Sequence, residues 1–236
     1  MIHRLDSFSK FDLPIDYSRI GYNDDGNGNC EVAHYPGNYN LLDDTDGLLT
    51  FKAVPDPGHE QPGIYKSSRL VTKDTLVLKP PFSVSCEAKW TLHSGAFYCP
   101  FWIFPTNPYI VCEIDGVEWQ GGKPGQVHFT YHNTGKKILA QPVGESPYDH
   151  EFHSRSTYKP FNYNSWNSFR VNVYKSRIVW YMNYRKVKCL LVFGLNMEYY
   201  IRSTVQVATW AINPSLQSIT EINPAIMQLI DFKVET

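Results

Sequence analysis

Short apolar segments separated by polar turns run along the whole chain. The segments are rich in Val, Ile, Phe, Tyr and Trp, and Gly, Pro and Asn lie between them, a pattern typical of β-strands and not of amphipathic helices. In FRVNVYKSRIVWYMN, the apolar Phe169, Val171 and Val173 alternate with polar residues before Lys175-Ser176 reverses the chain, which predicts a hairpin. Strands are predicted at residues 48–54, 82–90, 96–104, 109–118, 126–132, 169–174, 177–183, 200–211 and 227–235.

These segments predict an all-β chain in which two antiparallel sheets pack as a β-sandwich. The 236 residues fall within the range that such a sandwich fills as one unit, and neither an internal repeat nor an interdomain linker is visible. We therefore predict a single domain over residues 1–236. Polar stretches at residues 22–45, 56–65 and 142–165 are predicted as loops, which would collect at the rim of the sandwich and shape a cleft.

The charge balance argues against a nucleic-acid partner. Lys and Arg number 22 and Asp and Glu number 23, for a formal net charge of −1, so the basic surface that attracts phosphate backbones is missing. Aromatic residues make up 15% of the chain, which is more than a core alone needs. Aromatic surfaces suit the flat apolar faces of sugar rings.

The cysteines give no sign of a disulfide framework or a zinc site. They are odd in number and include no CxxC pair, so buried free thiols are the expected state. The five are Cys30, Cys86, Cys99, Cys112 and Cys189.

The sequence also lacks the apolar runs that mark export signals and membrane spans. The N-terminal MIHRLDSFSKFDLP has no apolar stretch, and no run of about 18 apolar residues occurs elsewhere. We expect no membrane partner. An extracellular or periplasmic location is expected if a leader was removed, and a virion-associated or cytoplasmic location is the alternative.

Three carboxylates fall within six residues of a predicted strand, in the segment CEIDGVEW. In a regular strand Glu113 and Asp115 share one face and Glu118 points to the other. One extra residue must be absorbed for all three to converge, and Gly116 lies where a β-bulge forms most easily. The sequence therefore predicts a row of three carboxylates on one face.

Such a row suits the hydrolysis of a glycosidic bond with retention of configuration. Retaining glycosidases hold two carboxyl groups about 5 to 5.5 Å apart, one as nucleophile and one as acid and then base. Glu113 would attack the anomeric carbon, Glu118 would protonate the leaving oxygen, and Asp115 would share hydrogen bonds with both. Crowding of like charges raises the pKa of at least one such group. Three solvated acids on an exposed strand face are the alternative interpretation.

The segment EIDGVEW resembles the bulged signature of glycoside hydrolase family 16, E-[ILV]-D-x-x-E followed by an aromatic residue. Further segments resemble motifs of that family in the family's order, from about residue 80 to the C-terminus. They are CEAKW and PFWIFP before the carboxylates, and FTYH, RIVWYMN and PAIMQLIDFKV after them.

The resemblance implies a concanavalin A-like jelly roll with a concave substrate cleft. It implies Glu113 as nucleophile, Asp115 as assisting acid and Glu118 as general acid and base, in agreement with the strand argument. It also implies that His132 lies beside the catalytic row. In this family the position of Asp231 helps to bind a structural calcium on the convex side, and the turn at Gly47 is a plausible partner.

Two tryptophans near the carboxylates are candidate substrate contacts. Trp102 and Trp119 would stack on sugar rings, with packing in the core as the alternative for each. Trp119 follows Glu118 and takes the opposite face if the strand is regular beyond the bulge.

The chain also departs from the family pattern, most clearly where the usual Asp-Gly turn is Asn183-Tyr184. We expect a divergent, monomeric endo-β-glycosidase that retains configuration and needs no catalytic cofactor. Its substrate would be a β-1,3-glucan, a mixed-linkage glucan or a marine galactan. The alternative is a domain of the same fold without catalysis, either lectin-like or a phage virion adhesion domain.

Overall fold

A computed structural model describes residues 1–12, 33–34, 41–58, 65–72, 76–107, 112–133, 152–192, 194–207 and 223–236. This part of the chain is built of β-strands, with a short 3-10 helix at Phe8–Lys10. The strands are β1 Ile2–Arg4, β2 Phe11–Asp12, β3 Ala33–His34, β4 Leu42–Thr45, β5 Leu48–Pro55, β6 Tyr65–Lys66, β7 Ser68–Thr72, β8 Phe82–Trp90, β9 Ala96–Pro105, β10 Cys112–Asp115, β11 Glu118–Gln120, β12 Val127–Asn133, β13 Phe152–Tyr158, β14 Asn167–Val173, β15 Arg177–Met182, β16 Arg185–Leu191, β17 Tyr199–Val207 and β18 Ala225–Glu235.

The strands form two sheets. Sheet A has the order β16-β15-β14-β8-β18-β5-β6-β3, with β1 beside β18 and β4 beside β5. In sheet B, β10 and β11 lie between β12 and β9, then β17, β7 and β2 follow, and β13 flanks β12. Pairing is antiparallel except between β3 and β6. The predicted antiparallel two-sheet sandwich is confirmed.

Alternation of side chains along the strands builds the core between the sheets. In β8, Val84, Cys86 and Ala88 are buried in the core, whereas Ser85 and Glu87 point outward from sheet A. The hairpin predicted around Lys175-Ser176 joins β14 to β15, and its apolar residues face the core. Large aromatic side chains fill much of the space between the sheets, among them Trp90, Trp119, Trp180, Tyr98, Tyr131 and Tyr199.

The predicted strands are present wherever the structure describes them, but several strands were missed. Residues 42–45 and 152–158 were predicted as loops and form β4 and β13. Strand β13 pairs with β12 alone within the described chain, so the apolar alternation of an internal strand is not required of it. Residues 22–32, 35–40, 59–64, 109–111, 142–151 and 208–211 lie outside the described residues.

Nothing helical in the described ranges has the length and apolar composition needed to cross a bilayer.

Candidate active site

Strands β10 and β11 lie end to end and are separated by two residues. Against β12, Ile114 pairs with Tyr131 and Glu118 pairs with His128. Between these two pairs, the line formed by β10 and β11 has three residues, 115–117, whereas β12 has two, 129–130. One extra residue on one strand of a pair is a β-bulge. The bulge predicted from the sequence is confirmed.

The bulge sorts the side chains of this line onto two faces. Ile114 and Trp119 are fully buried in the core. Glu113, Asp115 and Glu118 alternate with core residues and project from the outer face of sheet B, which we call the cleft face. The three form the predicted carboxylate row.

A second bulge, in β9, matches the first. Trp102 of β9 pairs with Arg202 of β17, and Cys99 pairs with Thr204. Between these two pairs β9 covers three residues and β17 covers two. No such shift separates β9 from β10 and β11. The two neighbouring lines therefore bulge together, and their mutual pairing is preserved.

Gly116 allows the two bulged lines to approach closely. Its N–H donates to the carbonyl of Phe101 at 3.0 Å. A Cβ atom at position 116 would lie 2.1 Å from the Phe101 ring, far inside contact distance. The glycine is needed because this ring occupies the space of a side chain.

Glu118 is held by two neighbouring strands. Its carboxylate accepts a hydrogen bond from the hydroxyl of Thr130 on β12. The guanidinium of Arg155 on β13 lies 3.4 Å from its other oxygen. Glu118 is buried, so these two donors fix the direction in which the carboxylate points.

Asp115 links the first glutamate to the predicted histidine. The Nε2 atom of His132 lies 3.1 Å from a carboxylate oxygen of Asp115. Glu113 pairs across the strands with His132 and also hydrogen-bonds Asp115. The prediction that His132 lies beside the row is confirmed.

Burial and like charge raise the pKa of two of the acids. Burial, followed by the charge of Asp115, raises the pKa of Glu113 to about 7, although His132 and Arg202 oppose the rise. Burial and the charge of Glu118 also raise the pKa of Asp115. Both members of the hydrogen-bonded pair of Glu113 and Asp115 therefore keep their protons to a higher pH than isolated carboxylic acids do.

A lysine from the other sheet lies beneath the row. The ammonium of Lys188, on β16, donates to the backbone carbonyls of Phe129 and Ser154 in sheet B. Burial lowers the pKa of Lys188 to about 8, whereas the charges of Asp115 and Glu118 act to raise it. The two carboxylates therefore favour the charged form of this lysine.

The two predicted tryptophans have different positions. Trp102 lies on the cleft face with the Arg69 guanidinium 5.8 Å from its ring, although only 7% of the residue is exposed. The prediction of a sugar contact is wrong for Trp119. That ring is fully buried, stacks on Trp90 at 5.5 Å and donates its N–H to the Pro124 carbonyl.

Sequence reasoning missed four residues of the site: Thr130, Arg155, Tyr200 and Arg202. Thr130 is two residues from His132 on one strand, so alternation alone could have placed it on the same face. Arg202 donates to the Tyr200 hydroxyl at 2.7 Å and lowers the pKa of Glu113. Arg155 lies in a stretch predicted as a loop, where no periodic signal marks it.

Two places offer ligands to a cation. Glu113, Asp115 and His132 present donor atoms within 4.8 Å of one another. On sheet A, the pairing of β5 with β18 ends at Leu49 and Leu229; Gly47 lies in the turn before β5, and Asp231 lies two residues after Leu229. Asp231 is exposed and bulged out of β18, on the sheet away from the cleft face. A Cβ on Gly47 would lie 3.9 Å from that of Asp6, so a second carboxylate is close to this turn.

Solved structures share the whole fold. The chain matches an endo-β-1,3-glucanase from Pyrococcus furiosus with 21% identity and a TM-score of 0.75 over 99% of this chain and 92% of that one. It matches LamA from Z. galactanivorans, solved with laminaritriose and laminaritetraose, with 15% identity, a TM-score of 0.74 and coverage of 99% and 96%. It also matches a Bacteroides ovatus mixed linkage glucan GH16 protein, solved with a product, with 14% identity and a TM-score of 0.71. That match covers 100% of this chain and 98% of the other.

The chain has the fold of these three proteins. This confirms the predicted concanavalin A-like jelly roll. No family model and no curated protein matches the sequence.

Proposed function

We propose that the chain is a divergent member of glycoside hydrolase family 16 and hydrolyses a polysaccharide as a retaining endo-β-glycosidase. The observation that carries this proposal is the carboxylate row of Glu113, Asp115 and Glu118 on one face of sheet B. The substrate we propose is a β-1,3-glucan or a mixed-linkage glucan. The names of the three solved structures, two of which hold sugars or a product, support this class over a galactan.

In the first step a carboxylate oxygen of Glu113 bonds to the anomeric carbon. The glycosidic bond breaks, and Glu118 gives its proton to the departing sugar oxygen. Thr130 and Arg155 keep the Glu118 carboxyl directed at that oxygen. The product of this step is a glycosyl ester on Glu113.

In the second step water attacks the same carbon. Glu118 takes the proton of the water, and the ester bond breaks to restore the Glu113 carboxylate. Asp115, held by His132, donates to or accepts from Glu113 as the charge of that residue changes. Two inversions leave the β-configuration unchanged.

The test is release of reducing ends from laminarin and mixed-linkage glucan by wild type and by Glu113→Gln. We expect turnover by the wild type and none by the variant, with folding and glucan binding preserved. Glu198→Gln is the matched control, because Glu198 is an exposed glutamate paired with Lys79. Unchanged product release by Glu113→Gln would show that the nucleophile is misassigned.

Proton NMR of the first product tests the stereochemistry. The β-anomer should appear before mutarotation. An α-anomer would mean inversion, and the placement of both glutamates as a retaining pair would be wrong. Wild-type binding without any release of sugar would instead support the lectin-like or virion adhesion alternative.

We also propose a structural calcium ion at Asp231 and the turn at Gly47. Calcium prefers oxygen ligands; the Asp231 carboxylate would supply one, and Asp6, which lies near Gly47, would supply another. The ion would stabilise the junction of β5 and β18. It takes no part in the two steps above.

A further inference from the structure

A groove of about 390 Å³ lies on the outer face of sheet A, on the side of the sandwich opposite the carboxylate row. Residues of β8, β14, β15 and β18 line it, and the turn between β15 and β16 forms part of its edge. Its volume falls within the range of about 300 to 1,000 Å³ that small-ligand sites occupy. The catalytic steps make no use of it.

The exposed tyrosine at the edge of this groove is in an unfavourable backbone conformation. Asn183 and Tyr184 form the two-residue turn, with φ of 48° and 63°. Two-residue hairpin turns in which both residues have positive φ, the type I′ turns, favour glycine at the second position, because a side chain there is crowded. Tyr184 is nevertheless present, and 86% of it is exposed.

The fold does not need this tyrosine, because Asn183 anchors the turn. The Asn183 side chain accepts from the Ser168 N–H at 2.9 Å and donates to the Asn167 side chain at 3.0 Å. A mostly exposed aromatic ring on a residue with a strained backbone favours a binding role. Tyr181 on β15, which also lines the groove, is half-buried.

The polar lining is ordered in advance and balanced in charge. Arg170 is fixed by the side chains of Asn172 and Glu235, each at 2.8 Å. Lys233 shares the groove with Glu87 and with the acidic Asp231. Glu235 offsets Arg170 and Glu87 offsets Lys233, without counting Asp231, and this balance favours a neutral ligand over a sulfated or uronic sugar.

We propose that this groove is a second carbohydrate site, which holds a neutral β-glucan chain against Tyr184 and Tyr181. Aromatic rings beside hydrogen-bonding side chains are the combination that recognises uncharged sugars. The ligand class rests on the proposed function. Because the two sites lie on opposite faces, the groove would retain the protein on a polymer while the carboxylate row acts on another segment.

The test uses the full chain and insoluble β-1,3-glucan in a sedimentation binding assay. Glu113→Gln prevents hydrolysis, and Tyr184→Gly is added to it. Glycine suits the turn, so this second substitution should preserve or raise the melting temperature. We expect glucan binding to weaken about threefold to tenfold, the size of a lost ring contact. Trp166→Ala, which removes a partly exposed ring outside the groove, should bind like the parent.

Catalysis separates this inference from the proposed function. In an otherwise wild-type chain, Tyr184→Gly should hydrolyse soluble laminari-oligosaccharides at the parent rate and insoluble glucan more slowly. Equal binding with and without Tyr184 would overturn the second site. Retention that depends on Tyr184, in a chain that hydrolyses no glucan, would support the groove and reject the proposed function.

Discussion

Replacing Glu113 by glutamine should make the protein more stable at alkaline pH. In the folded chain the Glu113 pKa is raised from 4.5 to about 7, by burial and by Asp115, against the opposing charges of His132 and Arg202. Between these two values the folded state binds more protons than the unfolded state, so the free energy of unfolding falls as pH rises. A rise of about 2.5 in the pKa of Glu113 lowers the free energy of unfolding by about 3 kcal/mol between pH 4 and pH 8.5.

Glutamine cannot ionise, and its amide can donate to Asp115 as the protonated acid does. Urea unfolding of both proteins should therefore show equal stability near pH 4 and an advantage of about 3 kcal/mol for Glu113→Gln at pH 8.5. The control Glu198→Gln should differ from wild type by under about 0.5 kcal/mol at every pH, because Glu198 lies in an exposed ion pair. A constant difference between Glu113→Gln and wild type across this range would refute the reasoning.

Three further outcomes are expected. Since Glu113 must be ionised to attack, kcat/KM on an activated aryl β-glycoside, whose leaving group needs no proton from Glu118, should rise about tenfold per pH unit below pH 7, and a plateau reaching pH 5 would contradict this. Gly116→Ala should lower the free energy of unfolding by about 1 to 3 kcal/mol through collision with Phe101, and should reduce turnover. Gly125→Ala is the control, because a Cβ added at position 125 would meet open space; it should change neither the free energy of unfolding nor turnover. A calcium chelator should lower the melting temperature of wild type but not of Asp231→Asn, and an unchanged wild-type melting temperature would argue against the ion.

The sequence predicts internal strands and the carboxylate row because both depend on local alternation. Glu113 and Asp115 share a face by the period of a strand, and the bulge that brings Glu118 to them follows from the spacing alone. The resemblance to a known family placed His132 beside them. These are the parts of the site that one segment and its neighbours in sequence determine.

The parts that could not be predicted depend on pairing between distant segments. Arg155 reaches Glu118 because β13 pairs with β12, and its polar sequence carries no sign of that partner. Arg202 approaches Glu113 only through the position of β17 beside β9. The sequence did not determine which face of sheet B Trp119 occupies, because that depends on whether the strand resumes regular alternation after the bulge. The structure shows that it does.

The matched bulges in β9 and in the β10 and β11 line couple the lengths of two distant segments. Deleting Gly116 alone would remove the bulge against β12 and leave Glu118 and Trp119 on their present faces, but it would put β11 one residue out of register with β9. A compensating deletion near Cys99 would restore the pairing of these two lines with each other, and would also remove the bulge of β9 against β17. Insertions and deletions in either segment are therefore expected only in concert, so a change in length at one of them identifies the other.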